Sequence, residues 1–474
     1  MEINVNKQRV LSLFSLVMIN VIAIDSLRNV PAAAEYGTSL IFYYVIAAML
    51  FFIPSAMVAA ELATGWPKDG GVYIWVREAF GAQWGLLAIW LQWIENVIWY
   101  PTIMSFIAAT LLFAINPALV EQKIYLLSVM LILFWGATIL NMMGMRVSAL
   151  LSTLSAIFGT LLPMLLIIFL GALWILQGHP SNISLTPHAL FPDLTHITNL
   201  TFLTGVLLSL VGVELSAAYA QSVRNPQRDY PRAMLISVSI IIVSLIFSSL
   251  AIAIVLPKEK INLVDGLVEA FGAFFDAYHM SWMTGVIAAV IIIGGIGNVA
   301  AWILGPSKGL LAASRDGRLP RVFAHENRHG APAPLLILQA IIFTVLCSVF
   351  LLMPSVSSSY WVLTALTTQL YMVMYFLMFA AGIRLRYLKP NVVRSYRLPG
   401  GNLGMWIVAG IGACACLIAI AIGFLPPTGF NYGSIQRYEL ILITGFVLLS
   451  IPPFIYTGVR RLLASSASGN MHFI

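Results

Sequence analysis

Residues 209–218 read SLVGVELSAA, and they place one carboxylate, Glu214, inside an apolar run that extends from about Phe202 to Ala220. The acid follows Gly212, which stands between Val211 and Val213. A carboxylate near the centre of a membrane helix costs about 2.5–3.5 kcal/mol on insertion scales. Glycine in a helix interior costs about 1 kcal/mol more than alanine. Together they mark a point where a membrane helix is expected to break. Such a break is tolerated only where the loosened backbone lines protein or a water-filled cavity.

The composition shows that the run does lie in a membrane. Of 474 residues, 60% are hydrophobic and only 9% charged, whereas a soluble domain carries about 25% charged residues. Apolar stretches of membrane-spanning length recur from end to end. Twelve can be counted, centred from Leu16 to Phe446. Because a lipid-exposed backbone must satisfy its own hydrogen bonds, the expected fold class is an all-α membrane protein with twelve transmembrane helices. A single transmembrane domain is expected over residues 1–461, followed by a short cytoplasmic tail at 462–474.

The net charge of +7 is a topology signal. With the first helix entering from the cytoplasm, all but five of the 25 Lys and Arg fall in cytoplasmic loops and termini; the exceptions are Arg28, Lys123, Lys258, Lys260 and Arg437. That bias puts both termini in the cytoplasm and leaves no need for a nucleic-acid partner. Cys347, Cys414 and Cys416 lie in apolar stretches and read as small packing residues. The histidines show no ligand spacing, and neither a metal nor a cofactor is expected. Lys7, Arg9 and the following apolar run imitate a cleavable leader. Asp25 and Arg28 inside that run argue for a retained first helix.

The interruption occurs twice. In the first stretch, AIDSLRNVP packs Asp25, Ser26, Arg28, Asn29 and Pro31 into seven positions. Pro31 lacks a backbone donor and disfavours helical geometry in the residue before it. The two broken stretches are the first and the sixth, so each opens a set of five spans. Five being odd, the second set crosses the membrane in the opposite sense, as in an inverted repeat. The repeats are expected over about 10–178 and 199–388, with two extra helices over about 405–461. A broken helix turns free N–H groups and free carbonyls towards one level. That arrangement can receive a zwitterion, the N–H groups taking a carboxylate and the carbonyls an ammonium.

Several motifs carry a family resemblance: AAELATGWPKDGGVYIWVREAFG from Ala59, FPDL at Phe191, GVELSAAYAQSVRNPQRDYPRAM from Gly212, AAWILGPSKG from Ala300 and RLPGG from Arg397. On these the chain resembles the amino acid–polyamine–organocation transporters, and within them the bacterial glutamate:GABA antiporters. The resemblance implies a five-plus-five inverted-repeat bundle with broken helices one and six. It also implies exchange of an amino acid and a counter-substrate by alternating access in the bacterial inner membrane, among membrane lipids. By matching motif it suggests Glu214, Trp302, Tyr371 and Tyr375 as pocket residues, beside Asp25, Ser26, Arg28, Asn29, Val211 and Gly212 at the breaks. The chain departs from the wider family in the charged DSLRN at the first break. It also ends soon after Arg461, where the antiporters carry a long plug.

Each residue has two readings. Glu214 either holds the loose ends of helix six or faces the cavity and carries protons. Asp25 and Arg28, three apart, either pair on an intact turn or leave Arg28 to grip a substrate carboxylate. Glu95 is a further acid and proton-coupling candidate; it either pairs with Arg28 or makes a polar contact between helices. Trp302, Tyr371 and Tyr375 are packing residues or pocket walls, the tyrosines sharing a face at a spacing of four. GGVYIWVREAFG from Gly70 reads as an amphipathic element along the membrane or a part of a gate. GGIGN at Gly294 permits close helix packing. Proton-coupled symport is the nearest alternative to antiport. A channel is disfavoured by the scarcity of polar groups, and a membrane-embedded enzyme by the lack of a histidine-containing cluster.

Overall fold

A backbone in lipid must bond to itself, and long apolar runs do so as helices. The computed structural model describes residues 12–67, 70–143, 157–184, 186–192, 200–217, 225–426 and 434–459, and no strand occurs among them. Among the described residues, ten helices are long and apolar enough to cross a membrane: Gly37–Gly65, Ala82–Ile115, Lys123–Met142, Ile157–Leu176, Arg232–Val255, Met283–Arg315, Ala333–Leu352, Val356–Leu388, Gly401–Gly423 and Ile435–Val459. In chain order these are spans two to five and seven to twelve.

Spans one and six are the broken ones. Span one consists of Leu13–Ile24 and Asn29–Ala34. Span six consists of Phe202–Ser209 and Val213–Ala217. With them the all-helical bundle has its twelve spans, interrupted at the first and sixth. In span one the chain turns extended at Asp25, with φ −71° and ψ 117°. Pro31 sits in the first turn of the following half, where its missing N–H would have had no intrahelical acceptor. It therefore helps to start a helix, where the sequence suggested that it ends one. In span six, Gly212 takes φ +110°, a conformation that a side chain strongly disfavours.

Close packing of the bundle uses small residues where helices meet. A Cβ on Gly294 of span eight would lie 2.4 Å from the Cα of Gly159 in span five, so the backbones touch there, as GGIGN suggests. Cys347 and Cys416 are buried packing residues, whereas Cys414 faces outwards.

Two connections are built into the bundle. The helix Val72–Phe80 buries six of its nine residues, so it is a packed element and does not lie along the surface. From it, Tyr73 Oη and Arg77 Nη1 donate to Asp316 Oδ2 at the end of span eight, at 2.9 and 2.5 Å. Glu61 of span two accepts a bidentate pair from Arg386 of span ten at 2.7 and 2.6 Å. Arg394 Nε lies 3.3 Å from the same carboxylate, and the Leu398 N–H donates to it at 2.8 Å. All three charged side chains are buried, and the two guanidiniums share the one carboxylate, which makes Glu61 the counter-charge on which the cluster depends. Residues 218–224, Asp193 and the expected tail lie outside the described residues.

Candidate functional site

The two breaks face each other beside spans three, eight and ten. Between them is a cavity of about 40 Å³ lined by Ala23, Ile24, Ser26, Arg28 and Asn29 of span one and by Leu208 and Val211 of span six. Glu95, Asn96 and Trp99 of span three, Asn298 and Trp302 of span eight and Tyr371 of span ten complete the wall. About 10–15 Å³ of such volume admits one water, so the space holds a few waters and is too small for an amino acid. Entry of a larger solute requires the broken halves to move apart.

Arg28 is the charged group in this wall that sequence reasoning left most open. It is buried, with Nη1 donating to Thr102 Oγ1 and Nη2 to Asn29 Oδ1, both at 2.7 Å. Its guanidinium lies 5.7 Å from the ring centre of Trp99 and 5.4 Å from that of Tyr360, within cation–π range. Nε has no hydrogen-bond partner among the described residues. Among the described residues, no ion pair within 4 Å joins Arg28 to Asp25 or Glu95. The anticipated Asp25–Arg28 pair is therefore corrected. It required an intact helical turn, and the extended backbone at Asp25 removes that turn. Asp25 is not on the cavity wall; its Oδ2 lies 2.7 Å from the Ser244 hydroxyl of span seven, within hydrogen-bond range. The anticipated Glu95–Arg28 pair is absent too: Glu95 Oε1 accepts from Asn96 at 2.6 Å, while both Glu95 and Arg28 stay on the cavity wall.

Glu214 lies one layer behind the wall. Gln92 donates to its Oε1 at 3.0 Å and Tyr371 to the same oxygen at 2.5 Å, while Tyr375 donates to Oε2. The Tyr375 hydroxyl also accepts the Gly212 N–H at 2.9 Å. One tyrosine oxygen thus joins the break, the acid and span ten. The acid also stands in the first turn of Val213–Ala217, where a negative group favours the helix dipole. Glu214 thus links the break in span six to spans three and ten through hydrogen bonds.

Of the residues singled out in the sequence, Ser26, Arg28, Asn29, Glu95, Val211, Trp302 and Tyr371 line the cavity. Asp25, Gly212, Glu214 and Tyr375 are not on its wall. Gly212 instead packs against Trp302: an added Cβ would lie 3.3 Å from that indole. Sequence reasoning missed Asn96, Trp99, Asn298 and, behind them, Gln92, Thr102 and Tyr360. On span three a signal was available. Glu95 and Asn96 stand three and four positions after Gln92, and Trp99 and Thr102 continue at intervals of three, which puts the set along one helix face.

The profile of the amino acid permease family matches residues 11–448. This chain belongs to that family. The permease is 50% identical over 451 residues to an uncharacterised transporter of Legionella pneumophila, covering 95% of its own chain and 97% of the relative. It is 32% identical over 454 residues to a glutamate/gamma-aminobutyrate antiporter of Lactococcus lactis, covering 94% and 90% of the two chains. A polyamine transporter of Oryza sativa subsp. japonica is 25% identical over 386 residues, 80% of this permease and 66% of the relative. The protein is an integral membrane amino acid transporter and not an enzyme.

Proposed function

We propose that this permease is an antiporter of the glutamate:GABA type, exchanging amino acids across the bacterial inner membrane with both termini in the cytoplasm. The observation that carries the reading is Arg28, a buried cation with unused donor capacity on a cavity wall that also holds Glu95. A guanidinium offers a planar fork that matches a carboxylate. Glu95, with the carbonyl ends of the first half of span one, suits the ammonium of the same substrate. The 32% identical Lactococcus antiporter supports the exchange reading. The basic loops support the orientation.

Counterflow into proteoliposomes tests the proposal. Wild-type protein is expected to accumulate labelled glutamate only against a trans amino acid. Arg28→Ala is expected to lose glutamate and aspartate exchange more than exchange of neutral amino acids. Equal loss for all substrates would make Arg28 a structural residue. One observation favours a second reading, proton-coupled uptake: Glu95 lies on the cavity wall with no basic partner within 4 Å among the described residues. Accumulation driven by a pH gradient with no trans substrate, and lost in Glu95→Gln, would select that reading.

A further inference from the structure

Asp25 is a carboxylic acid that the substrate cavity does not use. It is completely buried, and among the described residues its Oδ1 has no hydrogen-bond partner. Among the described residues, no Lys, Arg or His nitrogen lies within 4 Å of either oxygen. It also caps the C-terminus of Leu13–Ile24, its own N–H donating to the Val21 carbonyl at 2.8 Å. A negative charge there meets the negative end of a helix dipole. An unpaired charge at membrane depth is costly, and such residues are rare unless they work.

The hydrogen bonds around Ser244 add a count of protons. Its Oγ lies 2.7 Å from Asp25 Oδ2 and 3.0 Å from the Ile241 carbonyl oxygen, both within bonding range. A hydroxyl carries one hydrogen, so as the donor in both contacts Ser244 would have to share it between two acceptors, which weakens each bond. If Asp25 carries a proton, both contacts are satisfied: Asp25 donates to Ser244, and Ser244 donates to Ile241. The orphaned Oδ1 is then the carbonyl oxygen of a neutral acid, which is cheaper to bury than half of a carboxylate.

We infer that Asp25 is a proton-binding site, off the substrate cavity, that couples proton uptake and release to movement of the first half of span one against span seven. The site lies where those elements meet: Asn20, one turn earlier, also bonds across to Ser237 of span seven at 3.2 Å. Ala23, Ile24 and Ser26, which flank Asp25 in sequence, line the cavity, so displacement of this segment carries Asp25 towards water. There the proton leaves to solvent and Ser244 keeps its bond to Ile241. Few other titratable groups face the site. Span two presents Tyr44, whose hydroxyl accepts from Ser209 at 3.3 Å. Span seven has no charged residue from Ala233 to Val255. Arg28 turns to Thr102 and Asn29, and Glu214 to span ten. The inference rests on the alternating-access reading above.

Two measurements test it. In pH-difference infrared spectra of the purified protein, one carboxylic-acid C=O band is expected to titrate in wild type and to be missing from Asp25→Asn. In proteoliposomes, amino acid exchange by wild type is expected to vary with pH, and by Asp25→Asn to lose that dependence. A variant that keeps the wild-type pH profile, or an infrared spectrum with no band lost, would overturn the proposal. So would a wild-type rate that follows sodium and ignores pH. Should Asp25→Asn fail to fold, Ser244→Ala removes only the partner. It is expected to shift the midpoint of the pH profile, and an unshifted profile overturns the proposal. Absence of counterflow in wild type would sink the antiport reading alone, since the infrared band is read without transport.

Discussion

Replacing Tyr375 by phenylalanine removes one oxygen that serves two partners. The Gly212 N–H loses its acceptor, 2.9 Å away, at a position buried between spans six and ten. Leaving a buried donor unsatisfied costs about 1–3 kcal/mol. Glu214 Oε2 loses a donor at the same time, and a hydrogen bond to a charged group contributes about 1.5–3 kcal/mol. The expected loss is therefore about 2.5–6 kcal/mol. Tyr371→Phe removes a single bond, on an oxygen that Gln92 still serves, and is expected to cost about 1.5–3 kcal/mol. Thermal unfolding of the purified variants, followed by the monodisperse fraction, should therefore rank wild type above Tyr371→Phe above Tyr375→Phe. A double-mutant cycle of Tyr375→Phe with Glu214→Gln isolates the carboxylate share; neighbours in one network couple by about 0.5–3 kcal/mol. If Tyr375→Phe is no less stable than Tyr371→Phe, or the cycle shows no coupling, the bridging role of this hydroxyl is refuted.

Glu61→Gln leaves Arg386 and Arg394 buried without their counter-charge. The expected loss is about 3–5 kcal/mol, visible as a large drop in the melting temperature. Gly294→Ala forces a methyl to within 2.4 Å of Gly159 Cα, and backbone cannot yield as a side chain can. Overpacking of this kind costs about 1–3 kcal/mol or more, so the variant should melt lower or fail to assemble. Asp265, in the connection between spans seven and eight, has its pKa pushed up to about 7, first by burial and then by Glu269. Its folded pKa lies above the unfolded value of 3.8, so the folded state binds more protons in between. Wild-type stability should fall as pH rises from about 4 to about 7. Melting curves of Asp265→Asn should lack that component of the pH dependence.

Much of the fold was legible because membrane spans are written in composition and length. The ten continuous spans needed nothing else, and the other two were legible as failures: a glycine beside an acid, and a run of polar residues ending at a proline. The site was legible in part. Tyr371 and Tyr375 share a face as their spacing implies and both reach Glu214, yet only Tyr371 reaches the cavity wall. Asp25 and Arg28 look like a pair on paper, but the extended backbone at Asp25 sends them to opposite sides of span one. The polar face of span three was present in the spacing, but nothing local says which partner a helix face will meet.

The sequence by itself determined that this chain crosses a membrane as helices, and that the first and sixth of them break. Both follow from local rules: apolar length, backbone donors that must be satisfied, and residues that cannot continue a helix. Only the tertiary structure decided that Arg28 and Glu95 share the cavity wall without an ion pair between them, that Glu214 bonds across the break from behind it, and that Asp25 faces span seven. Those outcomes depend on how separate spans rotate against one another, and that rotation is set by close packing among side chains far apart in the chain.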